Sequence, residues 1–360
     1  MFFLVDGVVM ETASKPLIDT RLANRFLKQV RKRNAAKMVG RMNLADRFAF
    51  SIDKPGTQVF DDAISVSRRS GIWRLDVHVA DVATWCEHNS ALDRIVNRSI
   101  VAQHTSPRLV LPMKTLKGGL SLDAGKPRFA ITVSMWLDAT ATRFTTHVYR
   151  SLVTCNANTD FATADQLVAD PSLADNSAKR RLLQKLNMLQ SLATQLSKRQ
   201  LASGLLPMDS NEVSGANFDN VVRTLMLESG FALAKVCKAY KADVWYRTQA
   251  PPSKVQWRTM RSYFAERLIE LPYQPDAAAL ALAMESVMSD RMMREECRRL
   301  YLQNTQSAAD VIMPKPHFAL GERLYVHATS PLRIPRNLEN QKAIRRALVD
   351  FGGPLCIGKG

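Results

Sequence analysis

The sequence is short of acid. Its 360 residues hold 33 Asp and Glu against 50 Lys and Arg, a formal net charge of +17 at pH 7. Such an imbalance does not specify a fold, but it selects polyanionic partners: nucleic acid, anionic lipid or acidic protein. Cysteine is sparse as well. Cys86, Cys155, Cys237, Cys297 and Cys356 are odd in number and widely scattered, and none stands in a C-x-x-C pair. This argues against a disulfide framework and a thiolate zinc site, and suits a reducing interior. No apolar run approaches the ~20 residues of a membrane helix. The opening MFFLVDGVVM is broken by Asp6 and has no basic leader, so it reads poorly as a signal peptide. With no amphipathic anchor either, a membrane-surface role ranks low. The expectation is a cytoplasmic protein with no membrane partner, an organellar matrix being the alternative setting. The 46% of hydrophobic residues provides a sizeable core, and the length allows one large domain or two ordinary ones.

From Arg21 to Arg41 there are eight basic residues and no acidic one, with Leu22, Phe26, Val30 and Met38 on a helical stripe. Two readings carry equal weight, a solvated helix face or an arm contacting RNA or phosphate. Short alternating runs then predict strands at Phe48–Ile52, Ala63–Ser67, Ile72–Val79 and Phe129–Trp136, with a turn at Ser70-Gly71 and a further strand toward Tyr149. Beyond Asp165 helical spacing takes over. Leu182, Leu186, Leu189, Leu192 and Leu196 predict a helix over Ala178–Ala202 that stops at Ser203-Gly204. Further helices are predicted at Val221–Ala239, Lys254–Glu270, Asp276–Leu302 and Leu338–Val349, and a last strand at Arg323–His327. Without repeats or a Gly/Ser-rich linker, the simplest reading is one α/β (α+β) domain over 43–350. A mixed sheet forms its core, surrounded by helices, with a basic helical arm at 1–42 and a tail at 351–360.

Two segments carry chemistry. In Ser51-Ile52-Asp53-Lys54-Pro55-Gly56 through Asp61-Asp62-Ala63, a strand delivers Asp53, Pro55-Gly56 turns the chain, and two aspartates precede the next strand. Neighbours on a strand face opposite ways, so the pair converges only if the backbone is looped or bulged there. Gathered carboxylates raise one another's pKa unless a cation neutralises them, and hard oxygen ligands suit Mg²⁺. Such a site activates water against a phosphodiester. Taken alone, an Asp-rich turn is commonly just solvated. The second segment, Tyr325-Val326-His327-Ala328-Thr329-Ser330-Pro331-Leu332-Arg333, brings hydroxyls and a guanidinium to a helix start. That suits phosphate oxygens, or equally an N-cap beside a surface arginine.

Together these segments resemble the RNB catalytic domain of the ribonuclease II / ribonuclease R superfamily. The Ile52-Asp53 and Asp61-Asp62-Ala63 spacing resembles its opening motif. Val77-His78-Val79-Ala80-Asp81-Val82 is similar to its next strand, followed by Ser90-Ala91-Leu92-Asp93 and Arg98. Pro112-Met113, Leu120-Ser121-Leu122, a loose match at Arg223–Glu228, and His317–Leu320 with Tyr325–Arg333 follow in order, over about Asn43 to Leu348. The resemblance implies hydrolytic 3′-to-5′ digestion of single-stranded RNA with Mg²⁺ or Mn²⁺, releasing nucleoside 5′-monophosphates. It places Asp53, Asp61 and Asp62 as metal-holding catalytic acids and Arg333 beside the scissile phosphate. Thr329, Ser330, His327, Arg336, Phe161 and, more weakly, Glu228 complete the RNA-contacting set. The stretch from Lys179 to Arg199 joins the basic arm as a gatherer of substrate.

The departures are specific. Val59 stands where the family has a fourth acid, and Ile334, Pro335 and Asn337 replace an Arg-Tyr-x-Asp continuation, with Arg336 a partial substitute for the lost arginine. Phe161 stands for a tyrosine, and His104 is the nearest ring to an expected aromatic. At this length the flanking OB-fold domains are expected to be missing, which makes a protein partner supplying RNA-binding domains a second expectation. The alternative is a catalytically impaired RNB fold that binds RNA or joins a complex.

Overall fold

A computed structural model describes residues 38–86, 116–207, 217–321 and 323–358, together with Asp93 and Met113. The early arm before residue 38, His104, and the Ser90–Arg98 motif apart from Asp93 lie outside the described residues.

The alternating runs become strands β1 (Met42–Asn43), β2 (Ala49–Asp53), β3 (Asp62–Arg69), β4 (Ile72–Ala80), β5 (Pro127–Leu137) and β6 (Arg143–Asp160). Ser70 and Gly71 both adopt positive φ (49° and 80°), and Arg69 pairs with Ile72. The β3–β4 connection is thus the two-residue hairpin whose twist matches the flanking strands. β6 pairs antiparallel with β5 from Arg143 to Thr154, then parallel with β2 from Cys155 to Asp160. One long strand therefore closes β6-β2-β3-β4-β5 on itself. β1 and β2 each pair parallel with β6 and the other pairings are antiparallel, so the sheet is mixed as expected.

The two faces of the strands differ. Ile64, Val66, Leu75, Val77, Val133 and Met135 point outward into one apolar cluster with the leucines of α2 (Ser177–Ala202) and with α3 (Phe218–Ala239). The inward positions are small or polar: Ala49, Ala63, Ala80 and Ala130, then Ser65, His78, Thr132 and Ser151, all buried. A five-stranded barrel has room for little more. Its lumen is wired by hydrogen bonds from Ser65 Oγ to His78 Nε2 (2.9 Å), His78 Nδ1 to Thr132 Oγ1 (2.9 Å), and Thr132 Oγ1 to Ser151 Oγ (2.7 Å). Burial lowers the His78 pKa from the ordinary 6.5 to about 4, so the ring is held neutral.

The helices follow their predicted periodicity with two departures, and one predicted strand does not form. The predicted Asp276–Leu302 helix is two, α5 (Ala277–Ser286) and α6 (Arg291–Gln303), because Asp290 accepts from Met293 N and caps a new start. α4 (Lys254–Ala265) stops short of Glu270, where Leu268 turns to φ 59°. The predicted strand Arg323–His327 is not one: Arg323 makes an isolated bridge to His317, and Val326 N donates to Gly230 O instead. Gly230 is required there, since a Cβ would sit 2.1 Å from Tyr325 Cε2. α1 (Phe161–Ala169) follows β6 directly, and α7 (Pro335–Asp350) closes against the barrel. In the segment read as a tail, β9 (Leu355–Gly358) adds antiparallel to β6 at Thr145–Val148. β7 (Tyr246–Thr248) and β8 (Ala309–Val311) form a separate ribbon. Among the described residues no helix is long and apolar enough to cross a membrane.

Candidate active site

Three of the predicted acids meet at one end of the barrel. Asp53 is the last residue of β2 and Asp62 the first of β3. Between them Gly56 takes φ 80° and Thr57 N donates to Lys54 O, the tight turn that Pro55-Gly56 announces. The loop is then pinned: Phe60 N donates to Ser121 Oγ and Leu122 N to Phe60 O. Asp61 lies just ahead of β3, where Ala80 N binds its carbonyl, and its side chain is fully buried.

Asp61 is held from the far end of the sequence. Leu332 N donates to its Oδ1 (2.7 Å) and Arg333 Nε to its Oδ2 (2.6 Å), across 271 and 272 residues. Both carboxylate oxygens are thereby engaged, the second in a charge-assisted bond. The turn that presents these donors is set by the buried Asn337, whose Oδ1 accepts from Ser330 N (3.1 Å). Asn337 thus acts as an uncharged acceptor within the turn.

The electrostatics show how crowded the acids are. Burial raises the Asp53 pKa from 3.8 to about 6 and Asp61 adds to it, against the opposing pull of Arg333 and a hydrogen bond from Ser51. Asp62 is pushed well above the ordinary range by burial, then by Asp53 and Asp61. Burial likewise raises Asp61 despite Arg333 and Leu332. Burial acts to lower Arg333, but the three carboxylates outweigh it and leave its pKa raised. Arg333 keeps about half of its side chain exposed (48%), so its guanidinium edge faces solvent at the acid cluster.

Of the three acids expected to hold a metal, Asp61 is the one whose oxygens both accept from the protein, from Leu332 and Arg333, which leaves Asp53 and Asp62 as the less engaged pair. Among the described residues no group of three or more His, Cys, Asp or Glu is placed to hold one ion. Val59, where a fourth acid was missed, is 5% exposed and packs in an apolar cluster with Leu120, Leu122 and Leu332. Two mutually repelling carboxylates nevertheless fit a hard divalent ion that keeps several waters and shares its shell with phosphate.

Other predicted contacts move away from the acids. Glu228 is not free for a nucleotide: it is buried on α3 and paired with Arg143 (2.5 Å) and Arg199 (2.6 Å). Arg336 does not stand in for the missing arginine, because it pairs with Glu339 and Asp310 and lies over the Trp245 ring at 3.9 Å. His327 is held neutral by burial, with its pKa lowered to about 4, and its carbonyl accepts from Asn340 Nδ2. Phe161 opens α1 beside Asp160, the residue in register with Asp53, and its ring packs partly into the core. Thr329 and Ser330 are half-buried in the turn before Arg333. Arg41, counted with the basic arm, is buried and paired with Asp81 (2.6 Å) and Thr84 (2.6 Å).

Sequence reasoning missed the supports of this end. Gln341 Oε1 accepts from Val82 N and Ala83 N while its Nε2 donates to Ala80 O, docking α7 against the end of β4. A glutamine in a helix offers no signal for this.

Comparison with known proteins agrees with the geometry. The sequence profile of the RNB domain matches residues 41–348. Ribonuclease R of Thermotoga maritima is 24% identical over 335 residues, covering 87% of this chain and 46% of that protein, so the chain spans about half of its length. The structure of Mycoplasma genitalium RNase R in complex with ribose methylated single-stranded RNA superposes with a TM-score of 0.77 at 17% identity, over 90% of this chain and 54% of that one. Yeast Ssd1, a pseudonuclease, superposes with a TM-score of 0.72 at 19% identity, over 88% of this chain and 41% of that one. With its ordered motifs, its closed mixed sheet and a profile match over most of its length, the chain belongs to the RNB domain family.

Proposed function

We propose that this domain is a metal-dependent ribonuclease that shortens single-stranded RNA from its 3′ end and releases nucleoside 5′-monophosphates. The observation that carries this reading is the meeting of Asp53 and Asp62 with Arg333, which Asp61 fixes in place. Asp53 and Asp62 would hold Mg²⁺ or Mn²⁺, which supplies charge neutralisation and a more acidic bound water. Asp61 orients Arg333 through Nε, so that its outer nitrogens face a phosphate at the same end. Stabilising charge that develops on a phosphoryl oxygen is the task of such a preorganised cation. The half-buried turn at Thr329 and Ser330 borders the path of the RNA, and the Lys179–Arg199 helix and the basic arm gather it. The proposal includes a cytoplasmic setting and a protein partner that supplies further RNA-binding surface.

A second reading, an RNA-binding domain without catalysis, is favoured by the apolar burial of Val59 and by Ile334 in the place of an arginine. The two are separated with a 5′-labelled single-stranded RNA and Mg²⁺ or Mn²⁺. Stepwise shortening that Asp62→Asn abolishes supports the nuclease. Salt-sensitive binding that persists in chelator, with no shortening at any metal concentration, supports the silent domain.

A further inference from the structure

The Glu228 cluster lies away from the acids and has more cation than it can use. Register fixes its place. Asp62 pairs with Val79 and Val79 with Ile131, whereas Arg143 pairs with Leu137 at the β5–β6 turn. From Ile131 to Leu137 is six residues (137 − 131) of β5, roughly 20 Å of strand. Arg143 and Arg199 pair with the carboxylate of Glu228, Arg323 lies within the field of all three, and the exposed Lys235 stands within the field of these four. Asp138, the other carboxylate under the influence of Arg199, is already bound by Thr140 and Thr142 in the turn.

Among the described residues, four cations against Glu228 leave an excess of three positive charges, or two if Asp138 is included. Burial normally selects against such an excess. The strain is visible on Arg323, where burial, reinforced by Arg199 and Arg143, lowers the pKa to about 10 although Glu228 opposes it. Among the described residues, two buried donors here have no hydrogen-bond partner, Arg323 Nη2 and Arg199 Nε. The Arg323 guanidinium is oriented by stacking over the Phe231 ring at 4.1 Å and by donating Nε to Leu320 O. Arg199 keeps 26% of its side chain exposed, so the cluster is open to solvent on the side of Arg199 and Lys235. Oriented guanidinium donors in a net positive, partly desolvated cup match a tetrahedral dianion, which offers an oxygen to each donor and balances the charge.

We propose that Arg199, Arg323 and Lys235, assembled by Glu228 and Arg143, form a phosphate-binding site that takes free phosphate or the phosphate of a nucleoside 5′-monophosphate. The site is separate from the acid cluster and does not depend on the domain being a nuclease. The phosphate is the recognised group in both ligands; any preference between them reports whether the nucleoside also finds contacts.

The test is calorimetric titration of the full chain with inorganic phosphate and, separately, with a nucleoside 5′-monophosphate, in low-chloride buffer containing chelator. One equivalent is expected to bind. Lys235→Gln, at an exposed position that leaves the fold intact, and Arg323→Gln are each expected to weaken binding by about tenfold or more. Lys254→Gln, at an exposed position on α4, is expected to leave it unchanged. Either ligand binding more tightly in this pattern supports the proposal. Absence of binding by both ligands overturns it, as does binding that Arg333→Gln abolishes and Lys235→Gln and Arg323→Gln leave intact.

Discussion

The two ends of the barrel are charge-inverted versions of one arrangement. At one end three carboxylates surround Arg333, and at the other two guanidiniums pair with Glu228 while a third, Arg323, lies in its field. In both, the central residue is held by ion pairs, and among the described residues charges of one sign are in surplus. Glu228 shows the inversion clearly: burial acts to raise its pKa, but Arg143 and Arg199 outweigh burial and lower it. Asp53 and Asp62, with one arginine shared among three acids, are raised instead. Burial is common to both ends, so the local count of opposite charges decides the direction. Each end is consequently incomplete in a different sense, one wanting a cation and the other an anion.

The largest effect is expected from Asp62→Asn, which removes half of the remaining divalent-ion set. Single-turnover shortening of labelled RNA should fall by about 100-fold or more, while affinity for RNA in chelator stays within about twofold of the wild type. Arg333→Ala should cost about 100-fold in the same assay, the scale of a lost oxyanion donor. It also strands buried Asp61, so the thermal midpoint should fall unless Asp61→Asn is added, a rescue that separates catalysis from stability.

Glu228→Gln tests the opposite end. Leaving Arg143 and Arg199 without their carboxylate should destabilise the fold by about 3–5 kcal/mol in denaturant titration. Added phosphate should recover part of that loss if the anion site exists. Val59→Asp sharpens the acidic end. Burying a further carboxylate in an apolar cluster should lower stability by about 1–3 kcal/mol in chelator, and Mg²⁺ should restore more of it than in the wild type.

The last contrast between the ends is in the pH dependence. His78 and His327 have folded pKa values of about 4 against an ordinary 6.5, so the unfolded chain takes up protons first. Their contribution is complete above pH 6.5 and is lost as the pH falls through 4. Asp53, raised from 3.8 to about 6, acts the other way: its contribution is complete below 3.8 and lost as the pH rises through 6. Midpoints measured between pH 7 and 4 should therefore fall more steeply in Asp53→Asn than in the wild type, at about 1.4 kcal/mol per pKa unit at most.

Much of this was legible in the sequence, for identifiable reasons. The strands and the α2 leucines were legible because each has one buried face, which imposes a period of 2 or 3.6. The Ser70-Gly71 turn was legible because few residue pairs accept two positive φ values. The acid cluster was legible through a motif whose spacing reflects a strand, a turn and a strand. What escaped is tertiary. That Asp61 spends both oxygens on Leu332 and Arg333 is a fact about two distant segments. Glu228 sits on a helix like any core-facing residue, and only the fold brings Arg143 and Arg199 to it. Arg323–Val326 alternates like a strand, yet Gly230 offers it a docking site on a helix instead. The helix break at 286–291 depended on a local cap at Asp290 that hydrophobic periodicity does not weigh.

The contact between Asp61 and Arg333 also sets an order of events. While the 272 residues that lead from Asp61 to the arginine are being made, the chain holds its acids before their counter-charge exists. Domains fold as their segments emerge, so the strands can pair early while this end of the barrel stays self-repelling. It becomes complete only when the last helix arrives and Gln341 docks against Val82 and Ala83. A chain with this layout cannot complete its acidic centre before Arg333 is made, and truncation ahead of residue 333 would leave the three acids without their arginine while sparing most of the sheet.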